Sequence, residues 1–313
     1  MKRALVFPGQ GSQAVGMGRD IAEAFPEARY LLEEIDDALH QSLSRLMFEG
    51  PDDELTLTEN AQPALMAVSL AVLRVLQRDG GFDVAEKVGY VAGHSLGEYS
   101  ALSAAGTFET TDAARLLKAR GRAMQEAVPV GEGAMAALLG LDLDAAREVA
   151  DAAAGDDVCA AANDNAPGQV VVSGSAGAVE RAIEIAGEHG AKRAVKLPVS
   201  APFHCSMMAP AADVMREELA AVVMRAPAVP LVANVTATAE QDPNAIRDLL
   251  VQQVTAMVRW RESVMFMVEN EVEQLVELGA GKVLTGLARR IDRGLDAVAL
   301  NTPADIDAFL NGL

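Results

Sequence analysis

The sequence predicts an α/β protein, in which a large domain with a mostly parallel sheet carries an inserted ferredoxin-like subdomain. Three observations predict this fold class. Short apolar runs rich in β-branched residues alternate with helical patterns along the chain. These runs are continuously apolar, as expected of strands buried on both faces. The segment 131–198 departs from this alternation and shows the order β-α-β-β-α-β of a ferredoxin-like unit.

The large domain is predicted to comprise residues 1–130 and 199–313. The strand candidates are Ala4–Phe7, Val88–Ala92, Pro230–Val235, Gln274–Leu278 and Ala297–Leu300. The helix candidates are Pro63–Arg78, Asp112–Ala127, Ser206–Met224, Ile246–Asn270 and Lys282–Asp292. Pro63 is expected at a first helical position, where its missing N–H group costs little.

The subdomain is predicted to begin with the strand AMAALLGL and the helix DAAREVADAAA, with Asp144 as its cap. VCAAANDNAPGQVVVSG then predicts two strands around an Asn/Pro/Gly turn. SAGAVERAIEIAGEHG predicts a helix closed by Gly190, and RAVKLPV the last strand.

Composition and charge exclude several classes of partner. Half of the 313 residues are apolar, and the formal net charge is −19. Nucleic acids and anionic membranes reward clustered Lys and Arg, so neither is expected as a partner. No apolar run reaches the roughly 18 residues that span a membrane, and Pro8 and Gly9 interrupt the N-terminus too early for a signal peptide. Because the only cysteines are Cys159 and Cys205, we expect a cytoplasmic protein without a disulfide framework. We also expect a monomer.

The stretch Gly89–Leu102, GYVAGHSLGEYSAL, places Ser95 between Gly93 and Gly97. A strand, a G-x-S-x-G turn and a helix form the nucleophile elbow, in which a tight turn exposes the serine hydroxyl at the carboxyl end of a sheet. The backbone N–H of Leu96, at a helix N-terminus, would stabilise an oxyanion. The alternative is an ordinary glycine-rich turn between a strand and a helix.

A reactive serine needs a base, and the chain has four histidines. His204 follows a proline-punctuated loop and precedes a helix, whose N-terminal potential favours the neutral imidazole that a general base requires. His94 adjoins the serine, so we expect it to pack against the elbow and orient it. His40 and His189 are expected to be solvated. The alternative for His204 is a packed loop histidine, and Cys205 beside it is a weaker candidate nucleophile.

Arg120 is the one arginine of its predicted helix that faces only apolar neighbours. The residues three and four positions away are Leu116, Leu117, Ala123 and Met124. A charge on an apolar face needs an anion. Either an internal Asp or Glu supplies it, or a substrate carboxylate does, which a guanidinium binds through two parallel hydrogen bonds. The glycine-rich loop FPGQGSQAVGMG lacks the lysine and the spacing of a phosphate-binding loop, so no phosphate cradle is expected.

Taken in order, six stretches of the chain resemble the malonyl-coenzyme A:acyl carrier protein transacylases of fatty acid synthesis. They are FPGQGSQ (7–13), GHSLGEYSAL (93–102), ARGRAMQEAVP (119–129), NDNAPGQVVVSG (163–174), PVSAPFH (198–204) and VRWRESV (258–264). The resemblance covers nearly the whole chain, and the combination is far more specific than any one stretch. It implies an α/β-hydrolase-like domain with an inserted ferredoxin-like subdomain.

The resemblance also implies roles for individual residues. Ser95 is the expected nucleophile, His204 the base, and Arg120 the group that binds the malonyl carboxylate. The backbone N–H groups of Gln10 and Leu96 would form the oxyanion hole.

The resemblance further implies that the main-chain carbonyl of Gln253 orients His204, as a triad aspartate would elsewhere. Ala256 and Met257, nearby, stand where many members of the family carry an Asn-Pro pair. Additional pocket residues are expected to be Phe203, Asn165, Met124 and His94.

The expected reaction is ping-pong transfer of malonyl from coenzyme A to the phosphopantetheine thiol of acyl carrier protein, through a malonyl-serine and without cofactor or metal. One rival is a serine hydrolase, which would not need Arg120. A second is a non-catalytic carrier-binding subunit, against which the presence of both Ser95 and His204 argues. A third is transfer of another acyl group or malonate decarboxylation, although Phe203 and Leu96 match the malonyl-preferring pattern.

Docking of an acidic carrier protein to this acidic chain requires a local basic patch. The densest candidate lies on the predicted helix after ELGAG and consists of Lys282, Arg289, Arg290 and Arg293. A solvated helix face without a partner is the alternative.

Overall fold

The computed structural model describes residues 1–199 and 201–312. Ser200 of the PVSAPFH stretch and Leu313 of the predicted large domain lie outside the described residues. The strands are β1 (Arg3–Phe7), β2 (Tyr90–Gly93), β3 (Gly133–Leu139), β4 (Cys159–Ala166), β5 (Gln169–Ser175), β6 (Arg193–Lys196), β7 (Leu231–Val232), β8 (Ala239–Glu240), β9 (Gln274–Leu278) and β10 (Asp296–Leu300).

The helices surround both sheets. They are α1 (Arg19–Ala24), α2 (Pro26–Leu39), α3 (Leu43–Glu49), α4 (Asp52–Thr56), α5 (Thr58–Gly80), α6 (Val84–Lys87), α7 (Gly97–Ala104), α8 (Thr110–Glu126), α9 (Leu143–Ala154), α10 (Ala176–Ile185), α11 (Ala209–Ala221), α12 (Pro243–Gln253), α13 (Trp260–Glu269), α14 (Val283–Ile291) and α15 (Pro303–Asn311). No helix within the described ranges combines the length and the apolarity that a membrane crossing requires.

The larger sheet has the strand order β10-β9-β1-β2-β7-β8, and every pair is parallel except β7 with β8. Its central strands are buried on both faces, which explains their continuously apolar sequences. Phe7 is in register with Gly93. The loops that leave β1 and β2 therefore emerge side by side at the carboxyl edge of the sheet, where open α/β sheets place their sites.

The second sheet has the order β4-β5-β3-β6 and is antiparallel throughout. Helices α9 and α10 pack together over it and enclose a separate apolar core that includes Leu138, Val149 and Val172. This connectivity is the ferredoxin-like one, so the predicted fold class, a mostly parallel α/β domain with an antiparallel inserted unit, is confirmed. The bounds 131–198 stay a prediction.

Two predicted helix limits are wrong because tertiary packing overrides local signals. Helix α5 begins at Thr58, so Pro63 lies inside the helix and not at its start. All but one of the residues from Thr58 to Val68 are buried, and this packing outweighs the hydrogen bond that proline cannot make. The predicted helix Ile246–Asn270 is two helices, α12 and α13. Between them Val258 pairs with β4, donating to Ala162 O at 2.9 Å.

Smaller corrections concern the ends of elements. The side chain of Asp142, and not Asp144, caps α9 by accepting from Ala145 N at 2.9 Å. Of the predicted strand Pro230–Val235, only the two residues of β7 form a strand. The predicted helix Ser206–Met224 begins as a short 3₁₀ turn, continues as α11 and ends at Ala221. Helix α10 ends before Gly190, which closes the turns that follow it.

Candidate active site

The elbow predicted around Ser95 has the geometry that its two glycines permit. Ser95 itself has a φ of 54°, in the left-handed region. A Cβ at Gly93 would lie 1.9 Å from the backbone of Gly97, and one at Gly97 would lie 2.2 Å from Phe7 O. Any side chain at either position would therefore force the turn open, which explains why one serine stands between two glycines.

A histidine and a main-chain carbonyl complete a relay from Ser95. Ser95 Oγ lies 2.7 Å from His204 Nε2, and His204 Nδ1 lies 2.9 Å from Gln253 O. A carbonyl oxygen only accepts, so Nδ1 carries the ring proton and Nε2 presents its lone pair to the serine hydroxyl. Burial, and then the positive charge of Arg120, lower the pKa of His204 to about 3. The imidazole is thus neutral and oriented to accept a proton.

The carbonyl of Gln253 is free for this role because α12 ends at that residue. The last four carbonyls of a helix have no partner within it. Had the helix continued to Asn270, as the sequence predicted, this oxygen would have been used by the next turn. The Ala256–Met257 departure does not disturb the contact between the carbonyl and the imidazole.

The two residues whose N–H groups are expected to stabilise an oxyanion line the same cavity as the serine. Leu96 is the residue that precedes α7, and Gln10 lies in the loop after β1. Within residues 1–199 and 201–312, neither N–H donates to another protein group. Both donors are therefore available to an oxygen that develops negative charge beside Ser95.

Arg120 is buried, with 1% of its surface exposed, and all its hydrogen-bond partners are neutral. Its guanidinium donates to Gln62 Oε1 at 2.7 Å, Gln253 Oε1 at 2.8 Å and Ser95 Oγ at 3.2 Å. In the described part of the chain no carboxylate forms an ion pair with it, so the internal-carboxylate alternative lacks a direct partner. The guanidinium also lies over the Tyr99 ring, 5.7 Å from its centroid.

Asn234, which sequence reasoning missed, and the side chain of Gln253 hold the backbone of Ser95, and Glu98, which was also missed, accepts hydrogen bonds from both of them. Asn234 Oδ1 accepts from Ser95 N at 2.8 Å, and Asn234 Nδ2 donates to Gly93 O at 2.7 Å. The Gln253 side chain donates to Ser95 O at 2.9 Å. Glu98, the first acidic residue of α7, accepts from Asn234 N at 2.9 Å and from Gln253 Nε2. Both peptide groups that flank the strained serine are thus fixed.

Glu98 is fully enclosed, and this desolvation raises its pKa to about 7 despite the donors that surround it. Gln253 separates it from Arg120, since the amide accepts from the arginine and donates to the glutamate. The position of Asn234 carried a usable signal, because it follows β7, whose carboxyl end adjoins that of β2.

The remaining predicted pocket residues divide into two groups. Phe203, Met124 and His94 line a cavity of about 530 Å3 that includes Ser95. Asn165 lies behind His94 and not on the cavity wall, with Asn165 Oδ1 2.8 Å from His94 Nε2. His94 also packs 5.8 Å from the Trp260 ring, so its place is that of an orienting residue.

The four predicted docking residues are all exposed and lie on or beside α14. They are Lys282, Arg289, Arg290 and Arg293. The Arg290 guanidinium donates to Gln169 and to Pro167 O in the turn between β4 and β5. Gly281 lies close to Ser12, in the loop that carries Gln10. The start of the patch is therefore beside the loop that lines the active-site cavity.

Across the described ranges, no group of three or more His, Cys, Asp or Glu side chains could hold a metal ion. Both cysteines are free and buried.

Comparison with known proteins agrees with this geometry. The family model for the acyl transferase domain matches residues 4–298. The malonyl CoA-acyl carrier protein transacylase of Escherichia coli (strain K12) is 48% identical over 307 residues, covering 98% of each chain. The acyl-carrier-protein-S-malonyltransferase structure from Bartonella henselae has a TM-score of 0.97 at 57% identity, covering 100% of this chain and 99% of that one.

A further solved structure contains a carrier. It is a type II PKS acyl-carrier protein in complex with its malonyl-transacylase, and it matches with a TM-score of 0.96 and 44% identity over 100% of both chains.

Proposed function

The chain belongs to the acyl transferase domain family, and we propose that Ser95 and His204 perform its acyl transfer. The enzyme transfers malonyl from malonyl-CoA to acyl carrier protein, a reaction of fatty acid synthesis. The observation that carries the residue assignment is one shared contact. Ser95 Oγ is at once 2.7 Å from a neutral imidazole nitrogen and 3.2 Å from a buried guanidinium.

In the first half-reaction, His204 Nε2 takes the proton of Ser95 as its Oγ attacks the thioester carbonyl. The backbone N–H groups of Gln10 and Leu96 receive the oxyanion of the tetrahedral intermediate. The Gln253 carbonyl stabilises the imidazolium through Nδ1–H. The intermediate then collapses to malonyl-serine, and the imidazolium gives its proton to the departing coenzyme A thiolate.

In the second half-reaction, the thiol of the carrier's phosphopantetheine attacks the malonyl-serine ester. His204 takes the thiol proton and returns it to Ser95 Oγ when the ester bond breaks. The same oxyanion donors act again, because the reacting carbonyl occupies the same place. The strained but fixed backbone of Ser95 keeps Oγ within reach of the base in both halves.

Arg120 would select malonyl by its distance from the serine. The two carbonyl carbons of malonyl are separated by one methylene, about 2.5 Å apart. A guanidinium that contacts Ser95 Oγ is therefore placed for a carboxylate one methylene beyond the reacting carbonyl. Because all its present partners are neutral, its charge remains available to that carboxylate.

Carrier docking is proposed at the patch Lys282, Arg289, Arg290 and Arg293. The exposure of all four cations and the proximity of Gly281 to the loop that carries Gln10 support it. We also propose a cytoplasmic location, consistent with two free thiols. Recovery of the protein mainly from the membrane or periplasmic fraction of cells would contradict that location.

The malonyl-serine is tested by intact mass. Incubation with malonyl-CoA and no carrier should add a single malonyl group, which Ser95→Ala should abolish. A variant with Ser95→Ala that acquires the adduct at the wild-type rate would move the nucleophile to another residue.

A further inference from the structure

A chain of neutral side chains joins the Arg120 guanidinium to the loop of the oxyanion hole. Gln62 Oε1 accepts from Arg120 at 2.7 Å, and Gln62 Nε2 donates to Thr58 Oγ1 at 2.9 Å. Thr58 Oγ1 then donates to Gln10 Oε1 at 3.0 Å. Gln62 is 1% exposed and Thr58 fully buried. Gln62 also lines the active-site cavity.

The chemistry of position 62 matters because, among residues 1–199 and 201–312, Gln62 Oε1 is the one acceptor on that terminal nitrogen of Arg120. A glutamine oxygen satisfies an N–H donor but brings no negative charge. A glutamate here would form a direct buried ion pair and neutralise the guanidinium before any substrate arrived. An apolar side chain would leave the nitrogen without a partner and release the guanidinium from one of its anchors. Of these three side chains at position 62, the amide is the one that both anchors the guanidinium and leaves its charge unneutralised.

Resting on the proposed function of Arg120, we propose that Gln62 is a specificity-determining residue for the malonyl carboxylate. Its side-chain oxygen, a neutral acceptor, positions the guanidinium before substrate binds. When malonyl binds, the substrate carboxylate replaces this oxygen as the acceptor. The second end of the same amide is tied through Thr58 to Gln10. The side chain of Gln62 therefore links binding of the carboxylate to the position of the loop that carries Gln10.

This role is distinct from general support of the fold. A purely structural Gln62 would affect every acyl group alike, because the reacting thioester is common to all of them. A residue that acts through Arg120 changes the malonyl-to-acetyl preference. The preference is therefore the quantity to measure.

The test compares Gln62→Glu and Gln62→Met with the exposed control Gln252→Glu, which makes the same charge change on the surface of α12. Self-acylation kcat/KM is measured for malonyl-CoA and acetyl-CoA, and thermal melting checks the fold. Gln62→Glu should lower the malonyl-to-acetyl ratio by about 30-fold or more, the effect of 2–5 kcal/mol at a desolvated charge. Gln62→Met should lower the ratio by about tenfold through the loss of one charged hydrogen bond. The control should keep the wild-type ratio.

A second readout avoids turnover. In a Ser95→Ala background, Gln62→Glu should weaken malonyl-CoA binding, measured by calorimetry, far more than acetyl-CoA binding. Folded Gln62 variants that keep the wild-type ratio, or that lose both substrates equally, would overturn the proposal. If Arg120→Ala abolished the preference while both Gln62 variants kept it, only the role of Gln62 would fail. If Arg120→Ala also kept the preference, the carboxylate site itself would be misassigned.

Discussion

Substitution of Arg120 by alanine is the sharpest test of how this enzyme would choose malonyl over acetyl. The two acyl groups differ only at the end remote from the thioester, so Ser95, His204 and the oxyanion donors do not sense the difference. Arg120 is buried and contacts Ser95 Oγ directly. It is therefore the group expected to bind the additional carboxylate.

The magnitude follows from the surroundings of the guanidinium. Loss of one member of a desolvated charge pair costs roughly 2–5 kcal/mol, or about 30-fold to several-thousand-fold in rate. The hydrogen-bond partners of Arg120 are neutral, and Gln253 lies between it and Glu98, so in the described part of the chain no carboxylate pairs directly with the guanidinium. For acetyl the guanidinium has no charge to meet. We therefore expect acetyl transfer to change by no more than about threefold, less than 1 kcal/mol.

The assay is kcat/KM for transfer of both acyl groups in wild type and Arg120→Ala, with thermal melting to verify the fold. The expected outcome is a malonyl rate reduced by the factor given above and an acetyl rate that survives or rises. Equal losses for malonyl and acetyl would refute the reasoning. Arg120 would then serve the elbow through Gln253 and Gln62, and another group would have to recognise the carboxylate.

Three further predictions concern the proposed base and the carrier. His204→Ala should slow self-acylation by roughly 10²–10⁴-fold, and a far larger loss in a folded His94→Ala would reassign the base. Burial lowers the pKa of His204 to about 3, so the imidazole stays neutral as the pH falls from 7 to 5. The acid limb of the pH–rate profile for self-acylation should therefore lie well below the usual histidine pKa of 6.5, and a limb near that value would contradict the buried environment. Charge reversal at Arg289 and Arg290 should raise the KM for the carrier with a much smaller effect on self-acylation, and an unaltered KM would dismiss the patch.

The parts of the site that the sequence predicts are those with a local pattern. The elbow depends on residues within five positions of one another, and its glycines are required by contacts of the turn with itself and with β1. The unusual position of Arg120, a charged residue on an apolar helix face, was visible because helical spacing identifies its neighbours. Burial of that face is confirmed, since Leu116, Leu117, Ala123 and Met124 are all buried.

The residues that the sequence did not reveal are neutral or act over long separations. Asn234 binds the backbone of Ser95 from 139 positions away, and Gln62 reaches Arg120 from 58 positions away. An asparagine or glutamine has no charge whose burial would demand explanation, so its residue type does not mark it, and for Asn234 the one usable signal is its place after a strand. Glu98 was also overlooked, although an acid in the first turn of a helix has an ordinary explanation in the helix dipole.

The break between α12 and α13 shows why a periodic pattern was misleading at a functional position. Apolar spacing continues across residues 246–270, and periodicity alone predicts one helix. The pairing of Val258 with β4 is a contact with the inserted subdomain. Because the paired residues are far apart in the sequence, no local sequence pattern predicts this contact. That pairing ends the helical run and leaves the carbonyl of Gln253 without a helical partner.

Gln253 shows how the site dispenses with a triad acid. Its main-chain oxygen orients His204, its side-chain oxygen accepts from Arg120, and its side-chain nitrogen donates to Ser95 O and Glu98. The first contact belongs to the backbone and would survive a change of side chain, whereas the others would not. The position of His204, the proposed base, is therefore set by where α12 ends, and the positions of Ser95 and Arg120 depend on the side chain of residue 253.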